Sequence, residues 1–385
     1  MSTTRTTTAI WIPSQKKWRI RVRKDGQTKA FSSSKEGRKG QRECNAKADK
    51  WLKSNVIEST VKVEDFSKKY LEWKKDRVAT SRFHNLESYF NKTINHVIGK
   101  KKVSKLTEQD LQNVLDYMRR NGYSYTYTVQ LKNTLEEFVK FARKNGISDL
   151  RPEFLEVMKN EKSESRGTFS EEDMKKLFSV DTYIYRGKEE KDIFINSYRF
   201  LALTGLRRGE MLGLKWTDLE EIPTLTEDGA KVITVLHVQR AINEYLEITR
   251  GKTENTNREI PLTDAAIQVL EAQKQLLDEL GITCEFIFCN KYGMTPNPNY
   301  YSQRFKKYCE YHNLTRHKVH ELRHTFISFN KEMSLSQLKN CVGHSPRMET
   351  IATYGHALKS DLTVIRNELE KSKLTDLFKE NVAIL

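Results

Sequence analysis

The stretch from Val319 to His356 carries the residue types needed to hold and open a phosphodiester. It reads VHELRHTF and then LKNCVGHSPRMETIATYGHA. His320 and Arg323 lie three apart, a spacing that on a helix brings two side chains to one face and to one small anion. His344 follows a glycine, and Tyr354 comes ten residues later in a polar, turn-like setting. Two imidazoles, a guanidinium and a phenol can bind a phosphate, offset its charge and supply an oxygen nucleophile. Taken alone, they name a phosphate-handling site without a direction for its chemistry. His320 and His324 have i, i+4 spacing but no HExxH pattern, so neither a metal nor a cofactor is expected.

The elements that must position these groups come from a long, basic chain. At 385 residues it exceeds one typical core, and two or three domains are expected. The net charge of +16 favours a polyanionic partner, nucleic acid before an anionic membrane. No apolar run reaches the roughly 18 residues of a membrane span, and MSTTRTTTAIW lacks a secretory apolar region. An intracellular protein without membrane contact is therefore expected. Five cysteines (Cys44, Cys284, Cys289, Cys309, Cys341) without CxxC spacing fit reduced or buried thiols.

Residues 1–60 hold fifteen Lys and Arg against five Asp and Glu. AIWIPSQKKWRIRVRKDGQTKAFS alternates apolar and polar residues around turns at Pro13-Ser14 and Asp25-Gly26, predicting a three-stranded meander. Trp18, Ile20 and Val22 then face one side, and Arg19, Arg21 and Arg23 the other. A helix from about Arg38 to Leu52 should close the apolar face. The basic face suits a DNA groove or backbone, although basic decoration of a small α+β domain would look similar. Residues 61–151 read as four amphipathic helices, with Thr107 and Asp110 starting one and Asn121-Gly122 and Asn145-Gly146 ending two. Lys101, Lys102 and Lys132 offer them a second DNA-facing surface. Residues 152–167 read as a linker.

Thr168 to Glu172 open a new helix with capping chemistry. Thr204-Gly205 should end the next one, and Arg207 to Leu214 should form another, with Glu210 alongside Arg207. Lys231 to Leu262 reads as three strands, KVITVLHVQR, AINEYLEIT and NREIPL, with Lys252 in the last hairpin loop. Helices follow from Asp264. The tail from Lys359 to Leu385 is amphipathic and ends apolar, suggesting docking on its own or a neighbouring subunit.

TGLRRGEMLGLKW, GKTENTNREIPL, HELRHTF, VGHS and TYGH fall in the order and spacing of the tyrosine recombinases, the lambda-type phage integrases. The resemblance covers residues 168–356. The layout ahead of it is similar to integrases of temperate phages and conjugative transposons. It implies a multidomain α+β protein. An arm-type DNA-binding domain (1–58) with a small three-stranded sheet and helix precedes a helical core-binding, SAM-like domain (61–151). A mostly α catalytic domain with a small β-sheet (168–385) follows. By resemblance, the catalytic set is Arg207, Lys252, His320, Arg323, His344 and the nucleophile Tyr354, with Glu210 supporting Arg207. His324 takes a packing role. Gly355-His356 departs slightly from members that carry threonine or alanine before the histidine.

The implied function is site-specific integration and excision through a 3′-phosphotyrosyl intermediate and a Holliday junction. The implied partners are double-stranded DNA at core and arm sites, a tetramer assembled through the C-terminal tail, and an excisionase or DNA-bending host factor. Two alternatives are strand relaxation like that of a type IB topoisomerase, and a DNA-binding regulator without catalysis.

Overall fold

The computed structural model describes residues 5–24, 27–53, 60–158, 167–185, 187–226, 229–249, 257–343 and 359–382. They divide into two compact units, 1–163 and 164–385.

In the first unit, β1 (Ile10–Ile12), β2 (Lys17–Lys24) and β3 (Gln27–Ser33) form an antiparallel meander in the order β1-β2-β3. A single 3-10 turn at Pro13–Gln15 joins the first two strands; Asp25 and Gly26 lie outside the described residues. Strand alternation puts Ile20 and Val22 against α1 (Gly37–Lys53), where Cys44, Ala48 and Leu52 complete a small core. Trp18 packs at its edge. Arg21 and Arg23 are exposed on the opposite face and Arg19 is half-buried.

The same unit holds a helical bundle with a separate core. Its elements are α2 (Val63–Lys75), α3 (Thr80–Tyr89), α4 (Asn95–Ile98), α5 (Glu108–Arg120) and α6 (Tyr125–Lys144). A π-helical turn, Phe90–Ile94, joins α3 to α4, so the second of the four expected helices changes winding midway. Phe66, Tyr70, Phe90, Phe138 and Phe141 pack ring against ring at its centre. Thr107 and Asp110 cap α5 reciprocally.

The described part of the segment read as linker, 152–158, lies against this bundle. Glu108 Oε1 accepts from the backbone N–H groups of Glu153 and Phe154 at 2.6 and 2.5 Å. The Gln112 amide exchanges two hydrogen bonds with the backbone of Glu156, at 3.0 and 3.1 Å. Leu155 enters the bundle core. Leu155 and Val157, with the Glu108 and Gln112 side chains, hold this extended strap, and the charged run that follows masks them in the sequence.

The second unit begins with α7 (Glu171–Ser179), capped by Ser170 and Asp173, and a hairpin of β4 (Thr182–Tyr185) and β5 (Lys188–Lys191) that sequence pattern alone does not reveal. Helix α8 (Ile195–Thr204) is buried along its whole length, as a helix at the middle of a domain must be. The short α9 (Arg208–Leu212) follows. Strands β6 (Leu219–Thr226), β7 (Gly229–Val238) and, later in the chain, β10 (Arg258–Pro261) form an antiparallel sheet in the order β10-β7-β6. The expected middle strand is instead a separate hairpin of β8 (Ala241–Ile242) and β9 (Ile248–Thr249). The third strand of the sheet is β6.

Four helices continue the unit: α10 (Asp264–Glu279), α11 (Pro298–Tyr311), α12 (Val319–Phe329) and α13 (Leu335–Val342). The tail forms α14 (Lys359–Glu370) and α15 (Lys373–Asn381). Leu374, Leu377 and Phe378 of α15 are buried in the core of their own domain, with Phe378 edge-on to Phe178 at 5.3 Å. Of the two dockings expected for the tail, on its own or on a neighbouring subunit, the described residues through Asn381 dock on their own domain. All five cysteines are free thiols. Among the described residues, no helix is long and apolar enough to cross a membrane.

Candidate active site

Three chain segments meet around Glu210. The first is the turn between α8 and α9. Gly205 ends α8 with φ +64° and donates its N–H to Leu201 O at 2.9 Å. A Cβ there would lie 2.4 Å from Phe326 Cδ1 of α12, so both the left-handed backbone and the close approach require glycine. Arg207 then takes extended backbone as the residue before α9, and Glu210 caps that helix by accepting the Arg207 N–H at 2.9 Å.

The Arg207 side chain donates through Nη1 to Glu210 Oε1 at 2.7 Å and through Nη2 to Gly343 O at 2.6 Å. It keeps 40% of its side-chain surface exposed. Arg208 turns elsewhere, donating to Pro298 O at 3.1 Å and Ser302 Oγ at 2.7 Å on α11. The adjacent arginines thus separate: Arg207 joins the site and Arg208 braces a helix.

The second segment is α12. Its start is capped by Glu321, whose carboxylate accepts the N–H groups of His317 and Lys318 at 3.2 and 2.9 Å. Arg323 is 2% exposed and donates through Nη1 to Gly205 O at 2.8 Å. Its Nη2 is buried and finds no hydrogen-bond partner among the described residues. Burial, and next the neighbouring Arg207 charge, pull the Arg323 pKa down to about 9, against the opposing pull of Glu210. A buried cation with an open donor beside a second arginine suits a phosphate, which brings negative charge and acceptor oxygens together. His320 is exposed on the same helix, edge-on to His324 at 4.8 Å between ring centroids.

The third segment is the end of α13. Gly343 closes it with φ +63° and offers its carbonyl to Arg207. The next residue is His344. Lys252, His344 and Tyr354 lie outside the described residues. The described site therefore brings together Arg207, Glu210 and Arg323.

One residue at the centre carries no mark in the sequence. Arg258, at the start of β10, donates to both Glu210 oxygens, at 3.2 and 2.8 Å, and through Nε to Cys341 O at 2.8 Å. Its position in NREIPL looks like the first residue of an ordinary strand. No local signal points to its carboxylate partner, which lies 48 residues earlier. Burial raises the Glu210 pKa, but the Arg258 hydrogen bonds and charge, then the Arg207 N–H and charge, outweigh it. The carboxyl stays below its ordinary value and ionised.

The residues proposed for DNA contact differ in their engagements. Lys101 and Lys102 are exposed, with Lys101 pairing with Asp110 at 2.5 Å. Lys132 is half-buried, 3.7 Å from Glu136.

Comparison with known proteins decides the family. The model described as "Phage integrase family" matches residues 168–361, and "Phage integrase, N-terminal SAM-like domain" matches residues 62–119. The chain belongs to the phage integrase family. It is a tyrosine recombinase, an enzyme that cuts and rejoins DNA strands in integration and excision. It is 26% identical over 285 residues to the ICEBs1 integrase of Bacillus subtilis (strain 168), spanning 71% of this chain and 73% of that protein. A XerC-like tyrosine recombinase of Caldanaerobacter subterraneus subsp. tengcongensis is 25% identical over 298 residues, spanning 72% and 73%.

Solved integrases share the fold. The Tn1549 transposon integrase in complex with transposon right end DNA superposes with a TM-score of 0.60 at 19% identity, covering 79% of this chain and 98% of that one. A lambda integrase tetramer bound to a Holliday junction gives 0.55 at 14% identity, covering 94% and 95%.

Proposed function

We propose that this tyrosine recombinase moves a mobile genetic element by forming a 3′-phosphotyrosyl bond at Tyr354. The observation that carries the reading is the buried Arg323 guanidinium, with one donor uncommitted, beside Arg207. The two arginines hydrogen-bond the non-bridging oxygens of the scissile phosphate and offset charge gathering on the pentacoordinate phosphorus. Glu210 aims Arg207 and does not touch the substrate.

The Tyr354 oxygen attacks phosphorus and the bond to the 5′ oxygen breaks. The phenol proton passes to an acceptor near the phosphate, a role suited to His320 or His344, and Lys252 protonates the leaving 5′ oxygen. An unperturbed phenol has a pKa of about 10, so the surrounding cations are needed for attack at neutral pH. The phosphotyrosine keeps the energy of the broken bond. A second 5′-hydroxyl can therefore reverse the step on a partner strand, which generates a Holliday junction without ATP.

In this reading the sheet domain grips arm-type sites through Arg19, Arg21 and Arg23. The helical bundle and the catalytic domain hold the core site, the bundle through Lys101, Lys102 and Lys132. Two duplexes are brought together by four subunits, with an excisionase or DNA-bending host factor setting direction. A relative that integrates an element and a neighbour assembled as a tetramer on a Holliday junction support this. Since α15 is docked on its own domain, assembly through the tail requires that helix to leave it.

The test is a recombination assay on plasmids with paired attachment sites, run beside supercoil relaxation on a plasmid lacking them. Recombinants from the paired sites only are expected. Relaxation without any site would favour a topoisomerase, and specific binding without cleavage a regulator.

A further inference from the structure

Glu210 has its full complement of partners. A carboxylate offers about four acceptor positions, and here all are used. Oε1 accepts from Arg207 Nη1 at 2.7 Å and Arg258 Nη1 at 3.2 Å. Oε2 accepts from the Arg207 N–H at 2.9 Å and Arg258 Nη2 at 2.8 Å. The Arg258 side chain is 7% exposed, so it meets the carboxylate in a largely water-free setting. Its remaining side donates through Nε to Cys341 O at 2.8 Å, one of the carbonyls left open where α13 ends. Gly343 lies so close that a Cβ on it would be 2.9 Å from Arg258 Nη1. Arg207 closes the ring from the other side, holding Gly343 O at 2.6 Å.

We infer that Arg258 is a positioning residue for strand cleavage, locking the Glu210 carboxylate that aims Arg207 and clamping the end of α13 from which the chain runs to His344. The inference rests on the proposed phosphate-binding role of Arg207. Arg258 acts through its neighbours, with three of its five N–H donors directed to Glu210 and Cys341. Without it, Glu210 loses half of its partners and can turn, and Arg207 turns with it. The carbonyl end of α13 also loses a favourable cation.

The charged groups facing Glu210 are Arg207 beside it on the α9 turn, Arg258 on β10 and, more distantly, Arg323 on α12. The neighbouring Cys341 thiol is raised to about 12 by burial and stays neutral. Arg258 is the strongest influence holding Glu210 ionised against burial. Its removal raises the Glu210 pKa, and protonation of Glu210 on mild acidification then releases Arg207. A merely structural arginine would not create that pH dependence.

The experiment measures single-turnover cleavage of a suicide core-site duplex from pH 5 to 9, with core-site affinity and thermal unfolding in parallel. The proteins are the wild type, Arg258→Lys, Arg258→Ala and Tyr354→Phe. Arg258→Ala should cleave roughly tenfold or more slowly at neutral pH, with affinity changed much less. It should also lose further rate on acidification, beyond the acid limb that the histidine proton acceptor gives the wild type. Arg258→Lys should restore part of the rate and remove most of that further loss, and it carries the comparison if the alanine protein unfolds. Wild-type rates and profiles in both variants would overturn the inference. So would equal losses of rate, affinity and melting temperature with an unchanged pH profile. An adduct that persists in Tyr354→Phe would instead overturn the proposed nucleophile, leaving the Arg258 comparison readable on its own.

Discussion

Arg323 donates its Nη1 proton to the carbonyl of Gly205 at 2.8 Å, joining the middle of α12 to the turn that releases Arg207. This hydrogen bond reaches across 118 residues of sequence. The same glycine accepts the Phe326 ring against its Cα, one helical turn beyond Arg323. The spacing of the two arginines is thus set by one left-handed residue and one carbonyl.

The first prediction concerns that turn. Gly205→Ala would force a side chain into φ +64° and 2.4 Å from Phe326 Cδ1. Left-handed strain and overpacking together should cost about 2 kcal/mol or more, read as a lower urea midpoint. A midpoint equal to the wild type would show that the turn can shift freely.

A second prediction separates stability from activity at Arg323. The guanidinium is buried, and among the described residues no carboxylate forms an ion pair with it. Arg323→Met fills similar space without a charge, so the DNA-free protein should gain about 1 kcal/mol or more. Cleavage should fall about 100-fold or more. The pH sign follows from a folded pKa near 9, below the ordinary value of 12.5. Folding penalises the protonated form, the penalty is complete below about 9, and it fades as pH rises above that value. The stability gap between variant and wild type should therefore narrow from pH 8 to pH 10 in denaturant titrations. A gap that widens would contradict the buried-charge account.

The third prediction addresses the basic sheet face. Replacing Arg19, Arg21 and Arg23 by alanine removes charge from one side of β2 while Ile20 and Val22 keep the core. Affinity for arm-site DNA should drop, and the log–log salt slope should shrink by about 0.9 for each phosphate no longer neutralised. Fluorescence anisotropy across a salt series measures both. An unchanged slope would move the arm-site grip off this face.

Much of this arrangement was legible in the sequence because its determinants are local. The cap chemistry of Thr107 and Ser170, the helix stop at Gly205 and the alternation of β2 each depend on residues a few positions apart. What stayed hidden depends on distant partners. LEEIPTLT carries a proline and two adjacent acids, yet as β6 it lies at the sheet edge, where such residues are tolerated. Leu155 and Val157 stand at the head of a charged segment and dock only because the bundle offers them a place. Arg258 is the same case inside the site: its importance resides in Glu210 and Cys341, which no spacing rule connects to it. The tail read correctly as amphipathic, but periodicity reports that a face is covered and not by which chain.

The central claim is that Tyr354 becomes covalently joined to DNA at a phosphate held by Arg207 and Arg323. Its most direct test is to trap the full-length protein on a nicked suicide core site, digest the complex, and identify the DNA-linked peptide by mass spectrometry. The account predicts one adduct at a 3′ phosphate, carried by Tyr354 and absent from Tyr354→Phe. An adduct on any other residue, or one that survives Tyr354→Phe, would contradict it.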